Sequence, residues 1–327
     1  MGAMVNINIK NFLADPQVRY LIENNKFEEV YKEWDRYRAK YRVSASVLTK
    51  LFLAADIDIL QYMKRIPNRC FSHLSIPSID IPETVKEIGV GAFSNCSSLS
   101  TITIPESVTK IGAEAFLYCP SLSSVTLPSN LDTIRNSLFI NCAKLTSINI
   151  PNSVKEIGEQ AFSGTGLKSI TIPNSVRSIN KYAFFHCLDL QSVVIPNGVT
   201  DILPSTFEWC SSLTHIDLPN TITYIGWSAF ERSGLISVDI PNSVTRIGDS
   251  AFHSCTSLKS VTIPDSVQNI QSYAFENCTA LTSINIPNSV TSIGDMVFYN
   301  CKNVTVSCER NSYAEQYCKE NNIRYSV

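Results

Sequence analysis

The sequence predicts an α/β repeat solenoid, a right-handed coil of short parallel strands preceded by a small N-terminal helical module. Three observations carry this. First, a unit written I-P-x-S-V-T-x-I-G-x-x-A-F-x-x-C-x-x-L-x-S-I-x recurs ten times, anchored at Pro82, Pro105, Pro128, Pro151, Pro173, Pro196, Pro219, Pro241, Pro264 and Pro287. The spacings are 23 residues, except for 22 from Pro151 to Pro173 and from Pro219 to Pro241. A fixed period in this range marks units that bury their apolar faces only by stacking on neighbours. Second, the apolar positions inside each unit are fixed, as expected for a continuous core. Third, residues before 70 carry no such repeat and show helical periodicity instead.

Three regions follow: residues 1–69 as a helical cap module, 70–301 as the solenoid, and 302–327 as a C-terminal cap. In the first, Asp15 precedes Pro16, an N-cap followed by proline at the first helical position. Phe27, Val30, Tyr31 and Trp34 make an apolar stripe at i, i+3, i+4 and i+7. Ser44 or Ser46 can cap a third helix carrying Val47, Leu48, Leu51 and Phe52. Ile57, Ile59, Leu60 and Met63 suggest a short fourth, ending before Pro67. Residues 70–81 read as a degraded half-repeat, with Ile76, Ile79 and Ile81 in the places of Leu99, Ile102 and Ile104.

Within a unit, L-x-x-I-x-I-P is a short strand. Leu99, Ile102 and Ile104 face the core, and Thr101 and Thr103 face out, because strand side chains alternate. Proline ends the strand, since it has no N–H for the ladder. V-x-x-I-G returns on the opposite side, with Gly112, Gly158, Gly226, Gly248 and Gly294 expected to supply backbone freedom at the bend. The recurrent phenylalanine, from Phe93 to Phe298, forms a stacked column. Ten rungs at ~4.8 Å give a rod of about 50 Å. Past Cys301, residues 303–306 make a last strand, 312–318 a short helix and 323–325 a closing strand.

Composition sets further bounds. The chain is 44% hydrophobic and 17% charged, enough to bury a core. Residues 1–70 hold 12 Lys/Arg against 8 Asp/Glu and the remainder 15 against 21, so neither part demands a polyanionic partner. No apolar run reaches the ~20 residues of a membrane helix, so membrane insertion is not expected. Eight of the 11 cysteines (Cys96, Cys119, Cys142, Cys187, Cys210, Cys255, Cys278 and Cys301) lie three residues after the repeat phenylalanine. They read as buried free thiols, because a straight row does not make a tetrahedral metal site. The odd total points to a reducing compartment. Cys308 and Cys318, near the chain end, are the thiols expected to react first. Met1-Gly2-Ala3-Met4 reads as an expression scar before a native start at Met4. On that reading the protein is cytoplasmic; with a leader removed before cloning it is secreted or held at the cell surface.

The pattern resembles the BspA-like leucine-rich repeat family, the treponemal-type 23-residue class, whose signature is L-x-x-L-x-L-P-x-x-L-x-x-I-x-x-x-A-F-x-x-C. Leu258 to Pro264, Ile270, Ala274-Phe275 and Cys278 match it position by position. The segment N-S-Y-A-E-Q-Y-C-K-E-N-N-I resembles the capping tail of that family. The resemblance implies a binding role without enzymatic activity, since members are typically surface proteins of host-associated bacteria and some parasitic protists, several of them adhesins.

The residues themselves suggest no catalytic, cofactor or metal site. H-E-x-x-H, G-x-S-x-G and phosphate-cradling glycine loops are absent from the sequence. The nearest candidate is His215 with Asp217 and Asp239, expected to face outward within reach of one another; with no nucleophile or third orienting group evident in the sequence, a polar spot on a solvated sheet is the favoured reading. The outward strand positions are otherwise mostly Ser and Thr. This hydroxyl ladder breaks at Val194, Trp209, His215, Asp217, Trp227, Ile236 and Asp239, clustered in units six and seven, and these are the candidate partner-binding residues. Exposed tryptophan is an anchor residue at interfaces. The expected function is a non-enzymatic scaffold binding a protein or glycan through the solenoid face. The alternative is an intracellular regulator whose helical module binds nucleic acid or another protein. Arg36, Arg38, Lys40 and Arg42 beside Tyr37 and Tyr41 motivate it, but the helix at 44–55 carries only Lys50, so nucleic acid is the weaker partner.

Overall fold

The computed structural model describes residues 12, 14–24, 26–41, 49 and 59–327. Two helices open it, α1 (Pro16–Glu23) and α2 (Phe27–Tyr41), followed by a 3-10 turn at Ile59–Tyr62. Asp15 caps α1, its carboxylate accepting from the N–H groups of Gln17 at 2.8 Å and Val18 at 3.2 Å. The stripe Phe27, Val30, Tyr31 and Trp34 is buried. The expected third helix, Ile57 and the side chains of Arg38, Lys40, Arg42 and Lys50 lie outside the described residues.

From Arg65 to Cys301 the chain is strands and turns only. Each turn of the coil contributes to two parallel ladders. The first contains the predicted strand: Thr101–Thr103 pairs with Ser124–Thr126, Ser169–Thr171 with Ser192–Val194, and Ser237–Asp239 with Ser260–Thr262. In each, the middle residue is buried and the third faces out. The second ladder was not expected as a sheet. It runs through two-residue strands such as Glu87–Ile88 and Lys110–Ile111, each isoleucine pointing inward. It starts at Arg65–Ile66, paired with Glu87–Ile88, upstream of the half-repeat read from the sequence.

The third side carries the phenylalanine column. Eleven rings stack from Phe71 to Phe298, with successive centroids 5.2–5.8 Å apart and planes within 15°. Phe71 is one more than the repeat count gave; Leu74 fills its thiol slot. The spacing exceeds the ~4.8 Å of paired strands, so this is the wider side of the rod. The rungs are also tied here by hydrogen bonds. Gly91, Phe93 and Asn95 donate to the carbonyls of Ala113, Ala115 and Leu117 at 2.7–2.9 Å, while Ala92 and Ser94 close local turns. To aim alternate N–H groups at the next rung, the residues two before and two after each phenylalanine adopt positive φ, for example Glu114 (61°) and Tyr118 (53°) around Phe116. Only Gly91 and Gly164 among them are glycine. Left-handed backbone costs an ordinary residue about 1–2 kcal/mol. Here it recurs because the stack fixes it on both sides.

The recurrent glycine after the second-ladder isoleucine has a different cause from the one expected. Its φ is not positive at Gly112, Gly158, Gly226, Gly248 or Gly294. A Cβ on Gly112 would lie 2.5 Å from the backbone nitrogen of Val90, and one on Gly248 would lie 2.7 Å from that of Trp227. Close approach of rungs, not conformational freedom, selects glycine. Both breaks in the second ladder fall where Arg135 and Leu203 take this position, although Asn180 and Gln271 are accommodated.

Polar side chains lock the same geometry. Each repeat thiol donates to the carbonyl of the phenylalanine one rung back, as Cys187 does to Phe162 at 3.1 Å and Cys255 to Phe230 at 3.0 Å. In the 22-residue units Thr165 and Ser233 occupy the slot, and each hydroxyl meets the next thiol at 3.4 and 3.3 Å. In seven of the ten units the Ser or Thr two residues after the proline donates to a carbonyl of the previous rung, as Ser107 does to Val85 at 2.7 Å. Burial pushes the Cys187 thiol up to about 11 and the Cys255 thiol up to about 12.

Both ends are covered. Phe12, Tyr31, Trp34, Leu60 and Met63 belong to the same apolar cluster as Ile66 and Phe71. Thr49 donates to the Cys70 carbonyl at 2.6 Å and is itself hydrogen-bonded to the Tyr31 hydroxyl. At the other end the first ladder is extended by Thr305–Cys308 and Tyr325–Ser326. Helix α3 (Tyr313–Glu320), capped by Ser312, covers the second, and the Tyr317 hydroxyl accepts the Val297 N–H at 3.1 Å. Cys318 is fully buried within this cap and raised to about 12 by that burial, so it is not the readily reactive thiol that its position in the sequence suggested. Among the described residues no disulfide joins any of the 11 cysteines.

Candidate functional site

The seven candidate residues do not share one surface. Val194, His215, Asp217, Ile236 and Asp239 lie on the first-ladder face. Val194 ends the strand Ser192–Val194 and makes a single bridge to Asp217, because the next rung does not form a regular strand there. The inward Ile216 stays buried, so the lapse is confined to the surface. Val194 is 56% exposed and Ile236 44%, two aliphatic side chains in an otherwise polar sheet. His215 Nε2 lies 3.0 Å from Asp217 Oδ1, and both side chains are open to solvent. Asp239, expected to complete this group, makes no hydrogen bond or ion pair to either among the described residues. Its strand pairs onward with Ser260–Thr262.

The two tryptophans sit elsewhere. Trp209 follows Phe207 by two residues and takes positive φ. Its ring carries the Arg232 guanidinium at 4.4 Å and lies 6.1 Å from the His186 ring. Trp227 follows the second-ladder strand Tyr224–Ile225 and packs edge-on against Tyr182 at 5.9 Å.

A second polar group escaped the sequence reading. The residue after each column phenylalanine forms its own row, and from Glu208 it reads Glu208, Glu231, His253, Glu276 on successive rungs. His253 Nδ1 is 3.1 Å from Glu231 and its Nε2 is 3.6 Å from Glu276, all three largely shielded. Burial raises the Glu208 carboxyl. The signal was present as a column of charge where other units place Leu117, Ile140, Ser163 and Phe185. His253 clips three rungs together, its Nε2 lying also 3.3 Å from the Ser254 hydroxyl and 3.2 Å from the Asn277 amide. Among the described residues no His, Cys, Asp and Glu group has the arrangement of a metal site.

The match to known proteins follows the same rungs. The model of the BspA-type leucine-rich repeat region matches residues 64–191 and 177–305. The chain belongs to this family. Its fold is similar to that of a leucine-rich repeat protein from Bacteroides ovatus, at 26% identity and a TM-score of 0.55, covering 72% of this chain and 78% of that one. It is also similar to the pneumococcal vaccine antigen PcpA, at a TM-score of 0.57, covering 81% and 77%; with 20% identity that likeness concerns the fold alone. Comparison with curated proteins finds no match. Repeat proteins of this type are generally interaction scaffolds. Among the described residues no helix is long and apolar enough to cross a membrane.

Proposed function

We propose that the protein is a non-enzymatic scaffold that binds a protein partner on the first-ladder face between Val194 and Asp239. The observation that carries this is the exposure of Val194 and Ile236 beside the carboxylates of Asp217 and Asp239, on a face whose other outward positions are mostly Ser and Thr. Exposed aliphatic side chains supply area to desolvate, and rim charges select the partner. The helices before residue 70 serve as the N-terminal cap, a role supported by the core they share with Ile66 and Phe71.

The test is a comparison of two charge-reversed proteins. Asp217→Lys with Asp239→Lys should weaken an identified partner by about tenfold or more, roughly 1.4 kcal/mol. Thr103→Lys with Thr126→Lys, at the far end of the same face, should leave binding within about twofold. Equal losses would place the partner along the whole face. No loss from either would remove it from this face.

A further inference from the structure

On the phenylalanine side each rung donates to the next. In all ten rungs from Phe71 to Phe275, the N–H groups two before the phenylalanine, at it and two after it bond to carbonyls one rung on. Tyr273, Phe275 and Asn277 do so to Asp295, Val297 and Tyr299 at 2.9, 3.1 and 2.9 Å. The pattern stops at the eleventh rung. Among the described residues the N–H groups of Met296, Phe298 and Asn300 meet no acceptor. The C-terminal cap extends the first ladder and covers the second, but it adds no rung here. Met296 and Asn300 keep the positive φ of the paired rungs, 52° and 59°. Asn300 is also tied back by its amide to Asn277 Oδ1 at 2.8 Å, so the donors stay aimed along the stack. Next to this edge is a hollow of about 300 Å³, bounded by residues 298–302 and 321–324. Phe298, Cys301, Val304 and Ile323 give it an apolar floor, and its charged residues, Lys302 and Arg324, are both cationic. The Arg324 guanidinium is held on the Lys302 carbonyl at 2.6 Å. Met296 and Tyr299 of the same rung are 51% and 59% exposed.

We propose that this end of the phenylalanine side docks an acidic peptide segment of a partner protein, which pairs with it as a further rung. An unpaired backbone edge is a template for another chain, and main-chain pairing of this kind is an established mode of peptide capture. Three donors spaced two residues apart call for carbonyls at the same spacing, which a peptide backbone carries. The apolar floor takes one bulky side chain of the segment, and the two cations select carboxylates beside it. Exposed Met and Tyr, with Arg, are residue types enriched at interfaces. A small anion would satisfy Lys302 and Arg324 but leave the floor and the spaced donors unused. A second copy stacked head to tail would have to offer the carbonyl edge of its first rung. There Thr49 already donates to the Cys70 carbonyl, and Trp34 and Met63 share a core with Phe71.

The chain itself supplies the probe. A capped hexapeptide with the sequence of residues 272–277 presents the carbonyls of Ser272, Ala274 and Glu276, which in the fold accept from Ser250, Phe252 and Ser254 at 2.8–2.9 Å. It also carries one phenylalanine and one carboxylate. Amide NMR with hydrogen exchange on the full chain reads the result. In the free chain the amides of Met296, Phe298 and Asn300 should exchange about a hundredfold or more faster than those of Tyr273, Phe275 and Asn277. The peptide should bind with a Kd of about 1 mM or tighter and slow exchange at those three amides. Lys302→Glu with Arg324→Glu in the chain, or Phe275→Ala in the peptide, should weaken binding about tenfold or more. Asp217→Lys with Asp239→Lys should leave it unchanged, so this reading and the first-ladder reading fail separately. The proposal is overturned if the three amides are already protected in the dilute free chain. It is overturned equally if they become protected as chain concentration rises without peptide, which would make a second copy the occupant. Absence of peptide binding, binding that leaves the three amides unaffected, or equal binding to the charge-reversed protein would also overturn it.

Discussion

Units two and three and units six and seven have the same interior and different exteriors. Phe116 and Phe139 stack at 5.6 Å, and so do Phe207 and Phe230. Cys142 donates to Phe116 as Cys210 donates to Phe184. Outside, the first pair shows Ser124, Thr126, Ser147 and Asn149, and the second shows His215, Asp217, Ile236 and Asp239. The column of Leu117 and Ile140 becomes Glu208 and Glu231. Packing therefore says nothing about where recognition lies. In a stack whose rungs contact only their neighbours, drift on the surface is free to specialise while the core stays periodic.

The largest effect that would break this comparison lies in the core. Phe184→Ala removes one ring from a continuous column of buried rings, and should cost about 3–5 kcal/mol by denaturant unfolding. Surface replacements in the same units should stay within about 0.5 kcal/mol. A midpoint for Phe184→Ala indistinguishable from wild type would show that the column does not carry the stack.

How much of this was legible in the sequence follows from the same division. Leu, Ile and Phe repeat because each fills a fixed interior slot, so period and burial were readable together. The first-ladder strand was readable from its alternation. The second ladder was not, because two-residue strands show too little alternation to signal. The positive-φ pair around each phenylalanine left a partial trace, since Asn95, Asn141, Asn277 and Asn300 occupy its second position and asparagine tolerates that backbone. Tyr118, Trp209 and Arg232 at equivalent places concealed it. The glycine was correctly marked but misexplained, because proximity to the rung before it is a tertiary fact. The site residues were legible only as departures from the unit. Sequence order could not separate those on the strand face from Trp209 and Trp227.

Thiol chemistry sharpens the same contrast on a smaller scale. Burial raises the repeat thiols other than Cys119, which its hydrogen bond to Cys142 lowers, and puts Cys187 at about 11 and Cys255 and Cys96 at about 12. At pH 8 only about a thousandth or less of these three is thiolate, so a thiol reagent should label them slowly in the native protein. Rates should rise with pH toward those values, and all 11 should react once the chain is unfolded. Cys308, whose S–H bond to the Ser326 carbonyl is long at 3.8 Å, should lead. Fast labelling of Cys187 or Cys255 in the native protein at pH 8 would show that the rungs open.

The central claim is that the fold resides in the repeated interior and recognition in the outer residues that depart from it. It is tested most directly by restoring the unit at the first-ladder face, with Val194→Thr, His215→Ser, Asp217→Thr, Ile236→Thr and Asp239→Thr combined in one protein. Unfolding and partner affinity are then measured on the same preparation. The account predicts stability within about 1 kcal/mol of wild type and a loss of binding of about a hundredfold or more. Full binding by the restored protein, or a collapse of its stability, would contradict it.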